Sequence, residues 1–459
     1  MTSDVSAKIR DEIIKDTINL ISFRTYKENN AEFDDELSKA FAYIKKIGER
    51  YGFIYKNYDN KVVTLSFGQG KRNVGVVLHL DVVPAVRSEW QHDPFIARVE
   101  NNVIYGRGSN DNKGPAMALL HAAINVIHEN DISNRLTLIF GSNEEGKMED
   151  IDYYLANSID VPEIGFVPDA TFPVNYGEHG LLTLALKFTK PKMINEMQGG
   201  EHWHITCPSI NAKIKCWNDD IFEKFDFFLK ERQLDGNILT KDDTLNVTIK
   251  GKQAHGSRPN LAIDPFEAMM SFIGAYYGDK NCMAIAKMFK DWQGKEFEIA
   301  HKDMKYGELT LCVTKIETNA DSIECIIDVR YPFCLDKLQI IKTLSNAWCQ
   351  KAKCQQVEVL EDREGHYIAP DSKLVKDLEK IYRDISGDDI TPCKVSPGDT
   401  YARKFNNFVT YGPTTVDHLK RKDIGQAHQA NEGMDIDTLM IGYRIYYEAL
   451  LKLLNESGE

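Results

Sequence analysis

The chain has no basic excess, no long apolar run, no cysteine pair at metal or redox spacing and no internal repeat, and each absence narrows its function. Lys and Arg number 56 against 69 Asp and Glu, a formal charge of -13. That balance excludes a general binder of nucleic acid or anionic membrane. No segment approaches the ~20 consecutive apolar residues of a membrane-spanning helix, and the opening MTSDVSAKIRDEIIKDTINL lacks a basic stretch followed by an unbroken apolar one. The expected location is therefore cytoplasmic. The nine cysteines form no CxxC pair and lie mostly in the second half. They read as reduced thiols, so any bound metal needs nitrogen and oxygen ligands. A phosphate-binding loop is missing too: after Gly106 and Gly108 the third glycine of GxGxxG falls at Asp111, and there is no GxxxxGK[ST].

What is present is ordinary globular composition, 42% hydrophobic and 27% charged over 459 residues. That length exceeds what one core usually serves and suggests two domains of roughly 150 to 250 residues. Ile9, Ile13, Ile18 and Ile21 recur at helical spacing, so Ala7 to Phe23 is expected to be a docked surface helix. VGVVLHL (74–80), LTLIFGS (136–142) and IGFVPDA (164–170) read as buried strands. Between the first two, NKGPAMALLHAAINVIHEN (112–130) has proline in its first turn and Met117, Leu120, Ile124 and Ile127 on one face, which predicts a helix. This alternation implies an α/β fold: a mixed, mostly parallel sheet flanked by helices, with ligands beyond the carboxyl ends of its strands. From about Leu181 the texture changes to alternating strands such as LLTLALKF and TLNVTIKG, a helix in DPFEAMMSFIGAYYG and a further strand in SIECIIDVRYP. After about Pro370 the earlier style returns with SKLVKDLEKIYRDI, NNFVTYGP and a long closing helix. The expected division is 1–180 and 370–459 as one discontinuous domain and 181–369 as an inserted α+β lid.

Polar residues gather just past the predicted strands. His79 and Asp81 in HLDVVP are two apart and point to one side of an extended chain, which lets Asp81 orient the His79 ring. The glycines of YGRGSNDNKGP permit a sharp turn that brings Asp111 to the strand ends. SNEEG supplies Glu144 and Glu145, and GFVPDA supplies Asp169. Singly, each is an ordinary loop acid; together, at one sheet edge, they repel unless cations balance them. Carboxylates with neutral imidazole suit zinc, manganese or cobalt.

HLDVVP, the W and DPF of EWQHDPF, YGRGSNDNKGP, SNEEG, GFVPDATFPVNYGEHG and AHQANE, in this order and spacing, resemble the co-catalytic zinc peptidase family that includes aminoacylase, carboxypeptidase G, succinyl-diaminopimelate desuccinylase and carnosinase. GFVPDATFP, DVRYP, DTYAR, AHQANE and the long insert look most like its bacterial dipeptidase V branch, which cleaves dipeptides including β-alanyl and Xaa-His substrates. The resemblance implies two divalent ions, zinc first: His79 and Asp169 on one, Glu145 and His428 on the other, Asp111 bridging both. It implies Asp81 as the support of His79 and Glu144 as general base. In the insert, His255 matches an oxyanion-stabilising lid histidine and Arg330 a ligand of the substrate carboxylate, with Arg403 near the same end of the substrate.

Two segments depart from that pattern. GGEHWHITCPSINA places His204 where the dipeptidase branch has an asparagine, with one extra residue before Pro208, and SPGDTYAR lacks a glycine run. His202 and His204 are not counted as metal ligands, because the implied site is already full. The expected function is a metal-dependent dipeptidase acting on unblocked dipeptides. The alternatives are an N-acyl amino acid amidase or desuccinylase of the same clan, and a catalytically idle metal-binding protein. The insert, about 190 residues by these boundaries, is long for the family it resembles, whose short-lid members dimerise to supply a lid histidine, so the resemblance implies that His255 serves its own chain in a monomer.

Overall fold

In a computed structural model, residues 3–27, 30–215, 217–241, 244–352 and 356–456 are described. The chain divides into two compact units: 1–177, 367–394 and 399–459 form the first, 178–366 and 395–398 the second. Among the described residues no helix is long and apolar enough to cross a membrane. Cys207, Cys282, Cys312, Cys325, Cys334, Cys349 and Cys393 are free thiols, and Cys216 and Cys354 lie outside the described residues.

The first unit is built on a mixed sheet in which strands run in the order 54–58, 62–67, 135–141, 73–79, 164–167, 408–411 and 174–178. Its centre is parallel: Asn73–His79 pairs with Arg135–Gly141 and Ile164–Val167, and Phe408–Tyr411 continues beside the latter. Antiparallel strands flank it, including a hairpin of Ile54–Tyr58 and Val62–Phe67. All residues of Asn73–His79 are buried, as expected of a strand covered on both faces. The helix Lys113–Glu129 was expected to bury one face, yet it is enclosed nearly all round. Its run of small and apolar residues allows this, because helices Ser3–Ile21 and Ile436–Asn455 both pack on it. In Ser3–Ile21, Ile9, Ile13 and Ile21 are buried with Thr17 and Leu20, whereas Ile18 is half-buried.

The second unit holds two antiparallel four-stranded sheets. One has the order Thr310–Thr318, Ser322–Tyr331, Gly180–Thr189, Gln356–Arg363; the other is Ile194–Gln198, Ser209–Ile214, Thr244–Lys250, Asp235–Lys241. Alternate residues of Thr244–Lys250 are buried, the period-two signature of a half-covered sheet. Helices Pro265–Tyr277, Lys280–Met288 and Lys337–Ala352 complete a core around Trp348, Phe266, Phe289 and Phe297.

Candidate metal centre

Three parallel strands end at the same sheet edge, and each delivers a candidate ligand. His79 is the last residue of its strand, Glu144 and Glu145 follow the strand ending at Gly141, and Asp169 follows the one ending at Val167. Asp111 arrives on the loop before helix Lys113–Glu129. Gly108 in that loop has φ +93, a conformation in which a side chain is strained, and a Cβ there would press on Val82 and Lys113. His428 comes from the loop preceding strand Gly433–Asp435 and itself has φ +68. A non-glycine residue in that region is sparse and frequently functional.

Asp111 lies at the middle. Its Oδ1 is 3.0 Å from His79 Nε2 and its Oδ2 is 3.1 Å from His428 Nε2. Asp169 Oδ2 stands 3.6 Å from His79 Nε2, and both Glu145 oxygens are 3.1 Å from His428 Nε2. Two ligands held ~2.1 Å from a tetrahedral ion lie about 3.4 Å apart, so these separations fit shared coordination. Two triads result, His79 with Asp111 and Asp169, and Asp111 with Glu145 and His428. His79, Glu144 and Glu145 also approach closely enough to share an ion. The first two triads fit a ligand role better, because together they use both oxygens of Asp111 and both imidazoles. Glu144 then remains, with a buried Oε1 that no donor reaches.

Glu144 and Glu145 lie beyond the strand that ends at Gly141, in a turn formed by residues 144–147. Two carboxylates clamp the start of that turn. Asp150 Oδ2 accepts the amides of Ser142 at 2.6 Å and Asn143 at 3.1 Å, together with the Tyr401 hydroxyl at 2.5 Å. Asp81 takes the next two amides, Glu144 on Oδ1 at 3.2 Å and Glu145 on Oδ2 at 3.1 Å. Asp81 thus holds the turn as well as facing the histidine. Toward His79 Nδ1 its nearer atom is the main-chain oxygen, 2.9 Å away, with carboxylate Oδ1 at 3.5 Å. A donor at Nδ1 leaves the Nε2 lone pair free to bind metal.

The charges are unbalanced. Burial raises the pKa of Glu144 well above the carboxylate range, and the charge of Asp169 adds to this. Burial likewise raises Glu145 and Asp169, against the pull of His428 and His79 respectively. For the two imidazoles burial alone favours the neutral form. Asp169 and Asp111 outweigh it at His79, and Glu145 and Asp111 do so at His428, raising both well above the usual histidine value. A cluster with this excess of buried and half-buried carboxylate, N and O donors only, and an orphaned oxygen fits divalent cations.

A supporting pair escaped sequence reasoning. Glu432 is fully buried; its Oε1 accepts the amides of Gly108, Asn110 and Asp111 at 3.1, 2.9 and 3.1 Å, and its Oε2 meets Arg107 at 2.6 Å. Arg107 also donates to the His428 carbonyl at 3.3 Å and lies over Trp90. One ion pair therefore ties the Asp111 loop to the His428 loop. The only signal in the sequence was a glutamate four residues after a histidine, which is common on its own.

The remaining expected residues stand elsewhere. Arg403 belongs to the first unit, where it pairs with Asp399. Arg330 and His255 belong to the second unit. Arg330 is buried, with Nε and NH2 donating to the two oxygens of Asp328 at 2.8 and 2.9 Å. His255 Nδ1 is 2.7 Å from Ser257 Oγ.

Residues 75–452 match the model of Peptidase family M20/M25/M40. Among curated proteins, the putative dipeptidase YtjP of Bacillus subtilis is 28% identical over 97% of both chains. The Beta-Ala-Xaa dipeptidase of Lactobacillus delbrueckii subsp. lactis is also 28% identical, again with 97% of each covered. Among solved structures, the di-peptidase Dug1p of Saccharomyces cerevisiae superposes with a TM-score of 0.59 at 15% identity over 97% of both chains. Human carnosine dipeptidase 1 does so with 0.58 at 14% over 98% of both. At those identities the structures speak for the fold.

Proposed function

The chain belongs to peptidase family M20/M25/M40, and on that footing we propose that it is a two-metal dipeptidase that hydrolyses short peptides with a free amino terminus. The observation that carries the reading is Asp111, whose two oxygens address two imidazoles, each imidazole facing a further carboxylate of its own. His79 and Asp169 would hold one ion and Glu145 and His428 the other, with Asp111 shared between them. Bound there, zinc, or manganese or cobalt in its place, supplies a polarised carbonyl and a water of lowered pKa. Glu144 is the proton carrier. Its carboxyl is buried, its Oε1 is unengaged, and a raised pKa suits a group that must take a proton from the attacking water and return it to the departing amine. Asp81 and Asp150 keep the turn fixed while Glu144 works.

For His255 and Arg330 the resemblance, and not the cluster, supplies the roles of oxyanion donor and ligand of the substrate carboxylate; Arg403 is assigned to substrate on the same ground. The named activities of the curated relatives, dipeptidase and Beta-Ala-Xaa dipeptidase, support a dipeptide substrate and make β-alanyl peptides the first to try. Free thiols support a cytoplasmic location. A monomer is proposed, and sedimentation showing an obligate dimer would refute it.

The test is a panel of unblocked and N-acylated dipeptides offered to chelated protein and to protein reloaded with zinc, manganese or cobalt. Hydrolysis of the unblocked peptides alone, lost on chelation and restored by metal, is expected. Preference for acylated substrates points to an amidase, and bound metal with no hydrolysis to an idle binding protein.

A further inference from the structure

His204, the residue that departs from the related pattern, sits between two carboxylates of the second unit. Its Nδ1 is 3.1 Å from Asp328 Oδ2 and its Nε2 is 3.2 Å from Glu361 Oε2. The sheet register explains why one ring reaches both. Asp328 and Glu361 lie on opposite sides of the same residue, Thr183 of the strand between them. Two strand spacings separate their backbones by about 10 Å, a gap that two carboxylates and an imidazole fill. Two residues along, Arg330 and Arg363 flank Leu181 in the same manner. Arg330 pairs with Asp328 at 2.8 Å and Arg363 with Glu361 at 2.6 Å. The contacts run in the order Arg330, Asp328, His204, Glu361, Arg363.

The segment anchored by this ring carries the loop of His255. Gly256 donates its amide to the His204 carbonyl at 2.7 Å, and Thr206 donates to the Ala254 carbonyl at 2.9 Å. Ala254 returns a bond to Thr206 Oγ1 at 2.8 Å, and Ile205 bridges to His255 itself. Gly256 lies so close to the knot that a Cβ there would stand 2.7 Å from Asp328 Oδ2 and 3.0 Å from the His204 carbonyl.

We propose that His204 is a positioning residue: its imidazolium, clasped between Asp328 and Glu361, anchors residues 204–206 and through them fixes the loop that presents His255. The effect on turnover rests on the dipeptidase reading; the anchoring does not. Burial favours the neutral ring, but the two carboxylates outweigh it and, against the charge of Arg330, raise the His204 pKa above the usual histidine value. Burial opposes ionisation of Glu361 also, yet His204 and Arg363 bring it down to about 2. The sign follows: with its folded pKa raised, His204 contributes most below its ordinary value near 6.5, and the contribution disappears as pH rises through the raised one.

Hydrogen exchange of the full-length protein, corrected for intrinsic rates, tests this with ring titration of His204 by NMR. His204→Gln should speed exchange at Ala254 and Gly256 about tenfold, leave strand Ile164–Val167 unchanged and lower kcat more than it raises KM. In the wild type, protection of Gly256 should fall at the pH where the ring loses its proton; His204→Arg should retain protection beyond that pH. Glu361→Gln, which keeps the histidine, should loosen the same amides and lower the ring pKa. Unchanged exchange in His204→Gln and Glu361→Gln, or Gly256 protection that ignores the ring titration, overturns the proposal. A loosened loop with unaltered turnover upholds the anchoring and overturns the role given to His255.

Discussion

Two regions of this chain place imidazoles between carboxylates, and they differ in how the charge is closed. In the knot of the second unit each carboxylate has its own guanidinium, Arg330 for Asp328 and Arg363 for Glu361, and both carboxylates share the His204 ring. At the sheet edge of the first unit, Asp111, Glu144, Glu145 and Asp169 gather around two histidines, and Glu144 Oε1 has no donor. The first arrangement is self-sufficient. The second requires cations from outside, which separates a metal centre from an ion-pair network when both are made of the same side chains.

The largest effect is expected where the open cluster does its chemistry. Glu144→Gln should retain metal and lower turnover of an unblocked dipeptide by about 10²–10⁴-fold; steady-state rates with metal analysis check both halves, and full turnover sinks the mechanism. Next comes the buried pair behind the cluster. Glu432→Gln leaves Arg107 buried without its partner, which costs about 3–5 kcal/mol in chemical denaturation. A loss under 1 kcal/mol would show that the two ligand loops hold together without it. Asp81→Asn should weaken metal binding about 10–100-fold. An amide has one acceptor oxygen for the two N–H groups of Glu144 and Glu145, so a lowered thermal midpoint should accompany the loss seen in metal titration. The smallest effect belongs to the closed network. Glu361→Gln should leave metal affinity unchanged while loosening the His255 loop, and any fall in metal content would erase the distinction between the regions.

The positions of His79, Glu144, Glu145 and Asp169 were legible because they follow buried strands whose apolar runs are hard to mistake, whereas His428 and the division of the ligands came from the family resemblance. VGVVLHL, LTLIFGS and IGFVPDA became the strands that end at the cluster, and the fold class follows from their alternation with Lys113–Glu129. The local geometry was less legible. Strand periodicity does not extend into the turn at 144–147, whose approach and amides are held by Asp150 and Asp81 from elsewhere in the chain. Arg107, Tyr401 and Glu432 stand inside YGRGSNDNKGP, DTYAR and AHQANE, but their roles, like that of Asp150, join segments distant in sequence and so are not local. The span of His204 across Thr183 depends on a register among three strands that no single segment encodes.

A dipeptidase of the proposed kind needs a pair of ions at the sheet-edge cluster. Metal stoichiometry of chelated, then zinc-reloaded protein, measured by mass spectrometry of the native chain beside Asp111→Asn, tests this directly. Two ions per wild-type chain and a sharp loss of both in the variant are the predicted result; a single ion bound equally well with and without the Asp111 carboxylate would contradict it.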